Sequence, residues 1–134
     1  MTNLVIVEGI GKVYAGKLQE AGIRNTEALL KEGSTPKGRE ELATKTGISH
    51  KLILSWVNHV DLFRIKGVGE EYADLLEAAG VDTVPELAQR KAENLFPKLV
   101  TTNEAEKRVR KLPTLSWVAD WIEQAKKLPR VIQY

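Results

Sequence analysis

Val7-Glu8-Gly9-Ile10-Gly11-Lys12-Val13-Tyr14-Ala15 lines up without gaps on Ile65-Lys66-Gly67-Val68-Gly69-Glu70-Glu71-Tyr72-Ala73, at an offset of 58. The match continues with Leu18 on Leu76, Ala21 on Ala79, Gly22 on Gly80 and Ile23 on Val81. Farther along, Leu54-Ser55-Trp56-Val57 recurs as Leu115-Ser116-Trp117-Val118 at an offset of 61, which implies a net three-residue insertion between the blocks. Two matched blocks in the same order mark an internal duplication. The 134 residues then read as two units, 1–64 and 65–134, the second carrying a short tail and both sharing one core.

The periodicity predicts helices throughout. Tyr14, Ala15, Leu18 and Ala21 have the spacing of one helix face, and Tyr72, Ala73, Leu76 and Ala79 repeat it. Gly22 and Gly80 follow those faces, where a left-handed glycine would end each helix. The next helices are expected to start at Asn25 and at Thr83, the latter with a capping box over Thr83-Val84-Pro85-Glu86. Thr35-Pro36 opens a helix to about Thr46, and Ser49 caps one carrying Leu52, Trp56, Val60 and Phe63. In the second copy, Thr102 is read as opening a helix with Ala105, Val109 and Leu112 on one side, and Pro113 as opening the last. Only residues 4–7 and Val131-Ile132 could extend. The fold class expected is all-α.

Each copy thus holds an apolar-x-Gly-apolar-Gly segment followed by a helix. This pattern resembles the helix-hairpin-helix motif. The pair resembles an uncharacterised bacterial-type group with two tandem helix-hairpin-helix (SAM-like) repeats of about 60 residues packed together. The resemblance implies hairpins that grip the backbone of double-stranded DNA across the minor groove without reading sequence. The physical rationale stands beside the family likeness. Gly9 and Gly67 permit the positive φ of a tight reversal. Gly11 and Gly69 remove a Cβ, so a partner can approach the backbone. The first N–H groups of the following helix lack intrahelical acceptors and, with the helix dipole, make an anion site. Ile10 and Val68 would plug each turn into the core.

The copies differ in charge at this place. Lys12 follows the first glycine pair, with Lys17 and Arg24 nearby, whereas Glu70 and Glu71 follow the second, with Asp74 and Glu77 beyond. A carboxylate at an anion site repels phosphate. Gly9, Ile10, Gly11, Lys12 and Lys17 are therefore the expected DNA phosphate-binding set. The Gly67-Val68-Gly69 hairpin is expected to be structural, with Lys66 as its one contact. Lys107-Arg108-Val109-Arg110-Lys111 is the densest basic run, and on a helix Lys107, Arg110 and Lys111 would share a face, an auxiliary phosphate patch.

Other constellations are weaker. Leu42 to Ser49, with Ala43, Gly47, Ile53 and Trp56, resembles a helix-turn-helix whose second helix would expose His50 and Lys51. Trp56 and Trp117 stand at matched repeat positions and are read as core anchors, with Trp121 extending that side. His50 and His59 are out of phase on a helix. No triad, acid–base pair or Walker-type loop is present, so no enzyme and no cofactor are expected. With no cysteine and two histidines, neither a disulfide nor a metal site is expected.

No apolar run reaches membrane-spanning length, and Leu4-Val5-Ile6-Val7 stops at Glu8 without a basic lead-in, so neither a membrane nor a signal peptide is expected. A cytoplasmic protein is the expectation. The net charge of +2 hides its distribution: residues 1–60 carry +2, 61–89 carry −5, 90–111 carry +4 and 112–134 carry +1. The function expected is non-catalytic DNA-backbone binding led by the first repeat. The alternative is a protein-interaction module in which the hairpins are purely structural and the partner is another protein.

Overall fold

The computed structural model describes residues 3–134 and, among them, eight α-helices and no strand. Leu4–Ile6 forms a short 3-10 helix where an extended segment had been allowed. The α-helices are α1 (Lys12–Glu20), α2 (Thr26–Glu32), α3 (Pro36–Thr46) and α4 (His50–Leu62), then α5 (Glu70–Ala78), α6 (Val84–Ala88), α7 (Ala92–Glu106) and α8 (Leu115–Lys127). The chain is all-α. It divides into two compact units, residues 3–61 with Val131–Tyr134, and Leu62–Arg130. The tail that the sequence assigns to the second repeat therefore packs with the first unit.

In the first unit, α1 ends as the glycine at position 22 implies. Gly22 has φ +92°, its N–H donates to the Gln19 carbonyl, and the Ile23 N–H reaches back to the Leu18 carbonyl at 2.8 Å. This is a Schellman closure, sealed by buried Leu18 and Ile23. Asn25 precedes α2 as its cap, accepting from the Ala28 N–H at 2.8 Å, so the helix starts one residue later than read. Thr35 caps α3 through the Gly38 N–H, and Ser49 caps α4 through the Leu52 N–H. Along α4 the core face is Ile53, Trp56, Val57 and Val60. Leu52, read as part of that face, points outward at 38% exposure. Trp56 and Val60 are buried as expected, and Ile53 and Val57 complete the face in place of Leu52.

Arg39 is the largest charged side chain inside this unit, 2% exposed. Its Nη1 donates to the Gly33 carbonyl at 2.8 Å and its Nη2 to the Gln133 carbonyl at 2.7 Å, while the Gln133 N–H donates to the Ser34 carbonyl at 2.7 Å. The guanidinium also lies 6.0 Å from the Tyr134 ring centroid, and the Tyr134 hydroxyl bonds Asn58. Burial pulls its pKa down from the ordinary arginine value. One buried cation thus ties the tail to the α2–α3 corner. Arg39→Ala is expected to cost about 2 kcal/mol, the worth of charged hydrogen bonds net of relieved burial. Urea denaturation, followed by the release of Tyr134, measures it.

The second unit repeats the plan. Gly80 has φ +94°, and Gly80 and Val81 N–H groups close α5 on the Glu77 and Leu76 carbonyls. Its core joins Leu75, Leu76 and Ala79 of α5 to Leu87 of α6, Leu95 and Leu99 of α7, and Val118, Trp121 and Ile122 of α8. Thr83 takes the cap place of α6 but makes no side-chain cap bond, and Glu86 pairs with Arg90 at 3.5 Å. The capping box read there does not form.

Two expectations for this unit are overturned. No helix opens at Thr102; that residue lies late in α7, which runs through Pro97. Pro97 sits in the second turn, where its missing N–H removes only the bond to the Glu93 carbonyl. The segment 107–114 is not helical. Lys107 takes a left-handed conformation at φ +50°, and the Asn103 amide then brackets Val109, accepting from its N–H at 2.9 Å and donating to its carbonyl at 3.2 Å. Val109 is buried as a result, while Ala105 is exposed. The last helix starts at Leu115, capped by Thr114 through the Trp117 N–H, two residues beyond the expected Pro113.

The repeat is also out of register with its most conspicuous match. A shift of 65 residues, not 61, superposes Ser49 on Thr114 as caps and Ile53, Trp56, Val57 and Val60 on buried Val118, Trp121, Ile122 and Ala125. Tyr14 meets Trp56 at 5.1 Å between ring centroids, and Tyr72 meets Trp121 at 5.3 Å. Trp121 is therefore the counterpart of Trp56. Trp117, read as the core anchor, is 39% exposed.

Candidate nucleic-acid interface

The turn before α1 is built around a residue that must be glycine. Gly9 has φ +92°, and a Cβ there would meet Trp56 Nε1 at 3.2 Å. Gly67 stands alike, with φ +98° and Trp121 Nε1 at 3.1 Å from the same imagined atom. Ile10 and Val68 are buried beneath these turns, as expected for plugs. The glycine therefore lets an indole edge pack against the reversal, which holds the next helix start in place.

Gly11 and Gly69 are N-caps of α1 and α5 in extended backbone, and neither helix receives a side-chain cap bond. Nothing lies within 4 Å of where a Cβ would sit on either residue. The backbone is thus open to an approaching group on both. The electrostatics differ. In α5 the first turn holds Glu70 and Glu71, whose carboxylates offset the positive helix end. The first turn of α1 has no acid and begins with exposed Lys12, which leaves the same end uncompensated. Glu8, also exposed, is the nearest carboxylate along the chain on that turn.

Gly9, Ile10, Gly11 and Lys12 come together at this helix start. Lys17 does not join them: it lies in the last turn of α1 and lines a shallow concavity of about 490 Å³ with Glu20, Ala21, Lys45 and Thr46. A helix rotates 100° per residue, so five residues turn Lys17 well away from Lys12. Sequence reading missed Val13, which is 72% exposed beside Lys12 and has no packing role. The signal was its place in the repeat, where the second copy carries Glu71.

The auxiliary patch is corrected. With 107–111 in an irregular loop, Lys107, Arg110 and Lys111 do not line one helix face. Arg108 forks between Glu106 and Asp74, each at 2.9 Å, and those bonds raise its pKa. The Lys111 ammonium lies 5.2 Å from the centroid of Trp117, and the Lys111 carbonyl accepts from the Tyr72 hydroxyl at 3.0 Å. In the Gly67-Val68-Gly69 turn, Lys66 is held by its backbone: Gln124 accepts from its N–H at 2.8 Å and donates to its carbonyl at 3.0 Å. The α3–Gly47–α4 corner has its left-handed glycine at φ +72°, and His50 and Lys51 are exposed after it.

The geometry defines an all-α protein carrying two glycine-turn helix starts of opposite electrostatic character. Over residues 8–128 the chain matches the family described as "Domain of unknown function (DUF4332)", and it belongs to that family. No curated protein and no solved structure matches it. Among the described residues, no helix is long and apolar enough to cross a membrane.

Proposed function

We propose that the first unit binds the backbone of double-stranded DNA without sequence preference, its Gly9–Lys12 turn acting as a helix-hairpin-helix motif. The observation that carries this reading is the uncapped, acid-free start of α1 with open space at Gly11. The N–H groups there have no acceptor within the helix, and a phosphate oxygen supplies one. Lys12 at the first helical position is unfavourable in the free protein because it faces the positive helix end. A bound phosphate reverses that sign. The second turn, neutralised by Glu70 and Glu71, serves the fold, and the contact is not catalytic.

With so few cations, binding is expected to be micromolar or weaker at physiological salt, on the order of the nonspecific range, and to strengthen at low salt. A titration of labelled duplex checks this. Gly11→Asp is the sharpest variant: aspartate is a good N-cap, so stability should hold or rise by a few tenths of a kcal/mol. The new carboxylate meets the phosphate, so duplex affinity should fall at least about tenfold. Gly69→Asp should leave binding unchanged. No binding at low salt, or equal binding by the Gly11 variant, overturns the proposal. A second reading, a protein-interaction module, is favoured by the acidic start of α5; a stoichiometric protein that co-purifies while DNA is absent would support it.

A further inference from the structure

The second unit carries an open hollow beside its glycine turn. Lys66, Gly67, Tyr72, Trp117, Asp120 and Trp121 line an open pocket of about 310 Å³. Tyr72 is set against Trp121 at 5.3 Å and an interplanar angle of 47°, and edge-on to Trp117 at 6.2 Å and 68°. At the 65-residue register, Trp117 replaces Leu52 and Asp120 replaces Ser55. The first unit folds with leucine and serine at those places. Packing therefore does not demand the exposed tryptophan or the carboxylate beside it.

The chemistry of these additions points to a cation. The face of an indole attracts ammonium and guanidinium groups, and the chain's own Lys111 already sits 5.2 Å from the Trp117 centroid. The Asp120 carboxylate is oriented by Gln124, whose Nε2 donates to it at 2.9 Å. Glu70 and Glu71 open α5 just before Tyr72, within a stretch, 61–89, that carries −5. Lys66 is the one ammonium on the lining. Asp120 is the one carboxylate on the lining, so an arginine would meet aromatic faces and an acid.

We infer that this pocket takes an arginine side chain from a basic segment of a partner protein, stacked on Trp117 and paired with Asp120. Guanidinium suits the place because it is planar and weakly hydrated. Lys111 then acts as an internal competitor for the same ring. The site is in the second unit and is independent of duplex binding by the first.

The test uses the full chain and three probes: a nonapeptide with four arginines, the same peptide with glutamates, and a ten-residue oligothymidylate. The indole N–H signal of Trp117, identified by its loss in Trp117→Phe, is followed by NMR. The arginine peptide should shift it. Trp117→Ala, followed through the indole N–H of Trp121 on the same lining, should weaken that binding about tenfold, and Asp120→Asn a few-fold, roughly the effect of an exposed ion pair. Lys111→Ala should tighten it. No shift at millimolar arginine peptide overturns the inference. So does a Lys111→Ala variant that binds less tightly, or an equal response to the glutamate peptide or the oligonucleotide, which would mark an anion or base-stacking site.

Discussion

Gly38→Ala is expected to destabilise the protein by about 4 kcal/mol, at the upper end of overpacking and backbone-displacement effects. Helix propensity alone argues the opposite, since alanine in place of a helical glycine should help by about 1 kcal/mol. Gly38 lies in the first turn of α3 with ordinary helical backbone. A Cβ there would stand 1.9 Å from the Glu32 carbonyl oxygen and 3.2 Å from Thr35 Oγ1. The obstacle is backbone at the end of α2, which cannot swing aside as a side chain can. The α2–α3 corner would have to open, and with it the Thr35 cap and the Arg39 bonds to Gly33 and Gln133. Equilibrium urea unfolding of the two proteins decides the matter. An unchanged or raised midpoint would mean that the helices do not meet this closely.

Trp56→Ala and Trp121→Ala are each expected to cost about 3–5 kcal/mol, the range for emptying a buried aromatic site. Trp117→Ala should cost less than about 1 kcal/mol, as a partly exposed position does. Trp56 and Trp121 are 2% and 3% exposed, and each packs its indole edge under a positive-φ glycine. The three variants, compared by denaturant midpoint, read out the register of the repeat directly. A large loss at Trp117 with a small one at Trp121 would restore the 61-residue register that the Leu-Ser-Trp-Val match suggested.

That match shows why some of the fold was legible and some was not. Glycines at 9, 22, 67 and 80 announced left-handed backbone because no other residue takes it so readily, and all four have φ between +92° and +98°. The cap at Ser49 was equally visible, and Asn25 and Thr35 marked their helix starts to within a residue, because a cap is a local bond to a residue three positions on. The loop after α7 was hidden for the opposite reason. Lys107 adopts a conformation its side chain disfavours, held by Asn103 and Val109 across a turn that periodicity does not register. The four-residue slip on α8 arose because Trp117 and Trp121 are one turn apart, and identity in sequence favoured the outer one.

The candidate site divides in the same way. Gly9, Ile10, Gly11 and Lys12 are contiguous, so their meeting at one helix start follows from local chain geometry. Lys17 was joined to the set by nearness in sequence and the 107–111 run by helical phase; nearness fails at the far end of a helix, and phase fails in a loop. The pocket around Trp117 joins Lys66 and Tyr72 with a residue some 50 positions away, a juxtaposition only packing creates.

The amino-acid sequence by itself thus determined that this chain is helical, duplicated and asymmetric in charge between its two glycine turns. These are matters of local backbone preference, spacing and composition. Tertiary structure decided which tryptophan is buried, which unit holds the tail, which cations are already engaged and where an aromatic hollow opens. Those depend on contacts between segments distant in the chain, and such contacts are selected by packing density and burial, which no short stretch of sequence expresses.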